Sequence, residues 1–241
     1  MRQNMEETWL GHPRGLFVLF LVEMWERFSY YGMRALLVFY MTKQLLFSQE
    51  DASHIYGLYT GLVYMTPLFG GLLADRFLGQ RRAVYIGGTL MAIGHFLMAF
   101  ESLFFPALGF LIAGNGLFKP NISTQVGSLY PAGDKRRDSA FSIFYVGVNL
   151  GAFLAPLTCG TLGVVVGWHY GFGLAGVGML VGLLIYLYGQ RYLKPDRLTA
   201  RKEASAEAEE PLTLREKQKI AALVLLCLLT IPFWAAFEQQ G

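Results

Sequence analysis

The stretch EMWERFSYYGMR, residues 23–34, sits inside an otherwise apolar run, with LFVLFLV before it and ALLVFYM after it. Two glutamates and two arginines therefore lie within a segment long enough to cross a bilayer as a helix. At about 100° per residue, with Glu23 as zero, Glu26 falls near 300°, Arg27 near 40°, Tyr30 near 340° and Arg34 near 20°. All five share an arc of about 100°. One side of the helix is polar and the rest is greasy, so the polar stripe must face other helices or a water-filled cavity and not lipid.

The surrounding sequence agrees with a membrane setting. The chain has 241 residues, 54% of them hydrophobic and 15% charged, with a mean hydropathy of +0.40. Soluble domains carry about 25% charged residues. The charges are clumped, and apolar stretches of about 20 residues separate the clumps. The 28 glycines suit close helix packing in lipid. A net charge of +3 gives no footprint for nucleic acid. Cys159 and Cys227 both lie in apolar stretches, so no disulfide framework is expected. The first 15 residues are polar and the first apolar run is too long for a signal core, so no cleavable signal is expected.

Six spans and part of a seventh are read from hydropathy: 16–42, 53–74, 82–104, 106–129, 139–161, 168–190, and a last one from 218. Backbone groups in lipid must bond internally, so the spans are helices and the fold is all-α integral membrane. The domain reading is an N-terminal segment 1–15, a six-helix bundle 16–190, a polar linker 191–217 and the start of a seventh helix over 218–241. Segments 75–82 and 134–138 are basic, as is 191–219 with eight Lys and Arg, whereas the opposite connections hold almost none. Basic segments stay inside, which places the N-terminus in the cytoplasm of a multi-pass protein of the cell membrane.

Depth brings further polar residues to the stripe's level. Lys119 is about 13 residues into the inward-running fourth span, and Glu23 and Glu26 are about 7 to 10 residues into the outward-running first. Tyr64 and Asn149 also fall near mid-depth. Arg34 and Glu238 share a depth nearer the outer surface. A Lys119–glutamate pair and an Arg34–Glu238 pair are both allowed by depth, which does not by itself establish contact. Burial favours a neutral acid and an adjacent cation favours the carboxylate, which is the basis of a proton-operated switch.

EMWERFSYYG resembles the E-x-x-E-R-F-x-Y-Y-G signature of the proton-dependent oligopeptide transporter family, a branch of the major facilitator superfamily. GGLLADRFLGQRRAV (70–84), FYVGVNLGAFLAP (144–156) and FWAAFEQQG (233–241) resemble that family's second-to-third helix loop, fifth helix and seventh helix. The resemblance implies a major-facilitator-type six-helix N-terminal bundle plus the start of helix seven, about half of a family member. It implies proton coupling by Glu23, Glu26, Arg27, Lys119, Arg34 and Glu238. It implies peptide contacts from Arg27, Tyr30, Tyr31, Tyr64, Lys119, Asn149 and Trp234, and gating by Arg34, Glu238 and Asp75. The implied function is proton-coupled symport of di- and tripeptides, with no cofactor and the proton gradient as driving force. The implied partners are peptides, protons, membrane lipid and the C-terminal bundle of the same transporter, and no nucleic acid. Alternatives are symport of another anionic or zwitterionic solute such as nitrate, and a peptide-binding membrane sensor. Where animal members carry a functional histidine on helix two, this chain has Gly57.

The remaining candidates read as structural. His54 is expected at the interface, and His95 as packed or hydrogen-bonded, with a proton relay as the alternative. His169 is expected to cap the sixth span at the outer surface. The histidines have no Cys partner and no metal-site spacing. GNG at 114–116 is expected to permit close packing rather than bind phosphate. No nucleophile–base pair is apparent, so enzymatic chemistry is not expected.

Overall fold

The computed structural model describes residues 8–195 and 213–237, except the side chains of 234, 235 and 237. It divides into two units, 1–200 and 201–241. The first holds β1 (Thr8–Trp9), β2 (His12–Pro13), α1 (Arg14–Lys43), α2 (Gln49–Leu73), α3 (Gln80–Leu97), α4 (Phe104–Ser128), α5 (Arg136–Ala155), the short α6 (Thr161–Val165) and α7 (Trp168–Gly189). The second is described by α8 (Leu214–Phe237). Thr213 and Glu216 cap α8 reciprocally: Thr213 N–H donates to Glu216 Oε2 at 2.8 Å and Glu216 N–H to Thr213 Oγ1 at 3.3 Å.

Four helical runs among the described residues are long and apolar enough to cross a membrane: Gln49–Leu78, Glu101–Ser128, Arg136–Val165 and Trp168–Tyr192. The 30-residue α1 is also long enough, but carries Glu23, Glu26, Arg27 and Arg34 along its length. α2 starts on Ser48, whose side chain accepts the Asp51 N–H, and holds Glu50 and Asp51 in its first turn.

Two departures from the hydropathy reading have local causes. The third span was expected to reach residue 104, but α3 stops at Leu97 and the chain turns before a 3-10 turn at Glu101–Leu103. The turn is as apolar as the helix, so hydropathy does not show it; there Gln44 Nε2 donates to Glu101 Oε1 at 2.6 Å. The fifth span was expected to end near 161, but helical structure continues to Val165 through a π-helical turn at Pro156–Gly160. Pro156 has no N–H to complete the regular ladder, and the chain accommodates the loss by widening one turn.

Within the first unit, α1 packs on α5 and α7, α4 on α2 and α3, and α3 on α7. Glycine allows the close approaches. A Cβ on Gly70 of α2 would lie 2.0 Å from the carbonyl oxygen of Gly116 on α4, and one on Gly151 of α5 would lie 2.2 Å from that of Met24 on α1. Gly114 meets Gly87 and Gly116 meets Thr66, so GNG is a packing element.

Candidate functional site: a buried ion group on α1 and α4

The stripe on α1 faces inward. Glu23 and Glu26 are fully buried, and Arg27 and Tyr30 are 6% and 3% exposed. Arg27 holds Glu26 with two parallel hydrogen bonds, Nε to Oε2 and a terminal nitrogen to Oε1. Lys119 reaches across from α4 and donates from Nζ to Glu23 Oε1 at 2.5 Å. The same oxygen lies 3.5 Å from Arg27 Nε. The Arg27 guanidinium also sits 4.8 Å from the ring centre of Tyr30 and 5.9 Å from that of Tyr31, cation–π contacts that hold it on this face.

The group is thus two carboxylates and two cations. Buried charges such as these persist only when paired. Here the pairing is closed in sum but uneven: Glu23 Oε1 serves two cations, while Glu23 Oε2 has no hydrogen-bond partner among the described residues. Lys119 is the one member with appreciable exposure, 32% of its side chain. It joins the buried group to the accessible side.

The other expected site residues lie around this core. Arg34, two turns along from Arg27, donates from Nε to the Tyr56 hydroxyl, with its guanidinium 5.5 Å from the Tyr56 ring centre. Tyr31 is half-buried beside Tyr30. Tyr64 lies on an exposed face of α2, and Asn149 on an exposed face of α5, where Asn149 Nδ2 donates to its own helix at Tyr145 O. Asp75 is exposed in the π-helical turn Ala74–Leu78 that ends α2. The Trp234 side chain and Glu238 lie outside the described residues, and so does the expected Arg34–Glu238 pair.

Tyr56, Tyr59 and Thr60, not singled out by sequence, also belong to this region. Tyr56 and Thr60 recur at a spacing of four with the expected Tyr64, one face of α2, and Tyr59 beside them is buried. That period of four was the available signal. His54 is exposed with Nε2 3.9 Å from Glu50. His169 stacks on Tyr170 at the start of α7. His95 is fully buried, and neither ring nitrogen has a partner among the described residues.

At the other end of the unit, Arg81 donates to the carbonyls of Gln190, Leu193 and Lys194, closing the start of α3 onto the end of α7. His12 Nδ1 lies 2.8 Å from the Tyr130 hydroxyl, and Arg136 donates to Gly11 O, which docks the β1–β2 pair. Asp134 takes a fork of hydrogen bonds from Arg136, which pulls its carboxyl from the ordinary range to about 2.

Comparison with known proteins accords with this geometry. Residues 81–201 match the profile of the POT family. The peptide transporter YePEPT of Yersinia enterocolitica is 50% identical over 189 residues, covering 74% of this chain and 37% of its own length. The di-/tripeptide transporter of Lactococcus lactis subsp. cremoris is 41% identical over 247 residues, covering 98% of this chain and 48% of its own. The crystal structure of the peptide transporter POT in complex with sulfate superposes with a TM-score of 0.75 at 42% identity, over 98% of this chain and 48% of that one. A POT family transporter in complex with 5-aminolevulinic acid gives a TM-score of 0.75 at 37% identity, over 98% of this chain and 49% of that one. The chain spans less than half the length of the curated relatives it matches. It is a multi-pass membrane protein and belongs to the POT family.

Proposed function

We propose that this chain is the N-terminal half of a proton-coupled symporter of di- and tripeptides that works by alternating access, with its N-terminus in the cytoplasm. The supporting observation is the Glu23–Lys119–Arg27–Glu26 group. With both glutamates ionised its formal charges cancel. Binding of one proton to Glu23 neutralises the carboxylate that pairs with Lys119 and leaves a surplus positive charge at the accessible edge. A peptide carboxylate fits that surplus. Proton and peptide then favour each other's binding, the reciprocity that symport requires.

In this reading Arg27 and Lys119 attract the peptide's carboxylate. Tyr30, Tyr31, Tyr64, Asn149 and Trp234 hold its backbone and side chains. Arg34 and Glu238 close the outer side, and Asp75 serves the cytoplasmic gate. Two bundles rock around a mid-membrane site, a motion general to transporters of this architecture. The second bundle comes from the rest of the transporter, as do the groups for the peptide's amino end. No cofactor is invoked.

The test uses the full-length transporter in liposomes with labelled dialanine. Uphill accumulation under an inward proton gradient, abolished by an uncoupler, is the expected result. Saturable binding without accumulation would replace the reading with a sensor. A second reading, another zwitterionic solute, is favoured by the 5-aminolevulinic acid in one related structure. In that case 5-aminolevulinic acid is accumulated and excess dialanine does not compete.

A further inference from the structure

Three sheltered polar atoms on α1 and α2 have no hydrogen-bond partner among the described residues: Glu23 Oε2, the Tyr30 hydroxyl and Thr60 Oγ1. Native structures rarely leave such atoms unbonded, and where they do, water is the usual partner. Thr60 is unusual within its own fold. Other helix hydroxyls find a carbonyl, as Ser53 does at Gln49, Thr89 at Tyr85 and Thr124 at Pro120 on their own helices, and Thr66 of the same α2 at Ile112 on α4. Thr60 makes no such bond.

Register places Thr60 and Tyr30 at one level of the two helices. α1 and α2 are joined by the short turn 44–48, so they run antiparallel. Pairing Lys43 with Gln49 at the turn puts Thr60 level with Gly32, and the Arg34–Tyr56 bond puts it level with Tyr30. Both registers agree within one turn. Tyr30 and Glu23 are separated by about 10 Å along α1, a distance that about three or four hydrogen-bonded waters span. The flanking Gly57 and Gly61 are exposed, and a Cβ on either would meet nothing within 4 Å, so α2 is open to the surroundings next to Thr60.

We propose that Thr60 and Tyr30 build a hydration site between α1 and α2 that passes protons from the Arg34–Tyr56 corner to the Glu23 carboxylate. A hydronium at the outer end gives up one proton, each water accepts one and hands one on, and Glu23 Oε2 takes the last to become a carboxylic acid. The two hydroxyls hold the water and end unchanged. The charged and titratable groups around this line are Glu23, Glu26, Arg27 and Arg34 on α1, Tyr56, Tyr59 and Tyr64 on α2, and Lys119 on α4. Thr60 is a positioning residue, and its role in transport rests on the symport reading above; the water site does not.

Two measurements on the full-length transporter decide the matter. The first is a high-resolution structure. Ordered water bonded to Thr60 Oγ1 and the Tyr30 hydroxyl is expected; dry hydroxyls, or hydroxyls bonded to protein, overturn the site. The second compares Thr60→Val and Thr60→Ser in liposomes, reading gradient-driven dialanine uptake and gradient-free dialanine exchange. Thr60→Val is expected to slow driven uptake about fivefold or more while exchange stays within about twofold of wild type, and Thr60→Ser to restore it. Unchanged driven uptake in Thr60→Val overturns the relay. So does equal loss of exchange and driven uptake, which assigns Thr60 to packing. If the wild type accumulates neither dialanine nor 5-aminolevulinic acid under the gradient, the symport reading fails and the proposed relay with it, while the water density alone decides the site.

Discussion

Glu23 Oε1 is shared by Lys119 and Arg27, and that sharing sets what single substitutions do. Lys119→Met leaves Glu23 with Arg27 alone. Lys119 keeps a third of its side chain exposed, so screening limits the stability loss to about 1–2 kcal/mol. Function is expected to suffer far more: gradient-driven dialanine uptake by the full-length variant falls about 100-fold, because the buried Glu23 carboxylate has lost the cation that links it to the accessible edge. Uptake within a few-fold of wild type would remove Lys119 from the coupling group. Asp134 gives the opposite expectation. Arg136 holds its folded value near 2, below the unfolded one. Its contribution is therefore complete above the ordinary carboxylate range and is lost as pH falls from that range through about 2. Asp134→Asn should leave the pH profile of uptake between 5 and 8 unshifted. Helical phase alone put Glu23, Glu26, Arg27, Tyr30 and Arg34 on one face, and the structure buries the first four. Phase carries no information about neighbours, so depth permitted the Lys119–Glu23 contact without identifying it. Thr60 carries no signal on its own, because a lone threonine in an apolar helix normally bonds its own backbone.

At the scale of helices, glycine contacts decide the packing. Gly151→Val pushes side-chain atoms into the Met24 carbonyl and is expected to cost about 2 kcal/mol or more. Thermal unfolding of the purified full-length protein in detergent should show a lower midpoint or lost monodispersity. Gly109→Ala is the control: its Cβ meets nothing within 4 Å, so the midpoint should hold or rise slightly through better helix propensity. An unchanged Gly151→Val would mean that α1 and α5 do not approach as described. Helix existence was legible from hydropathy because each apolar run is bounded by charges or turns. The end of α3 was not, since its turn is apolar, and neither were the π-helical turns, which depend on backbone bonding around Ala74 and Pro156.

At the scale of the whole molecule, the chain spans less than half the length of its curated relatives, and its α2 and α5 leave large apolar side chains exposed, among them Leu68, Phe69, Tyr145 and Phe153. Orientation rests on the basic segments around Arg81 and Lys135. In a cysteine-free full-length background, Lys135→Cys should react with an impermeant maleimide only from the cytoplasmic side, and Gln44→Cys only from outside. The reverse pattern would invert the topology and the direction of coupling with it.

The ion group is held to couple protons to uptake rather than simply to bind peptide, and one paired experiment separates those roles. Full-length wild type and Glu23→Gln are reconstituted in parallel, and labelled dialanine is followed as gradient-driven accumulation and as gradient-free exchange. Glu23→Gln removes the titrating carboxylate and keeps the shape and a hydrogen-bond acceptor for Lys119. Exchange should survive in the variant while uphill accumulation disappears. Accumulation by Glu23→Gln at the wild-type level would contradict the assignment of Glu23 as the proton carrier.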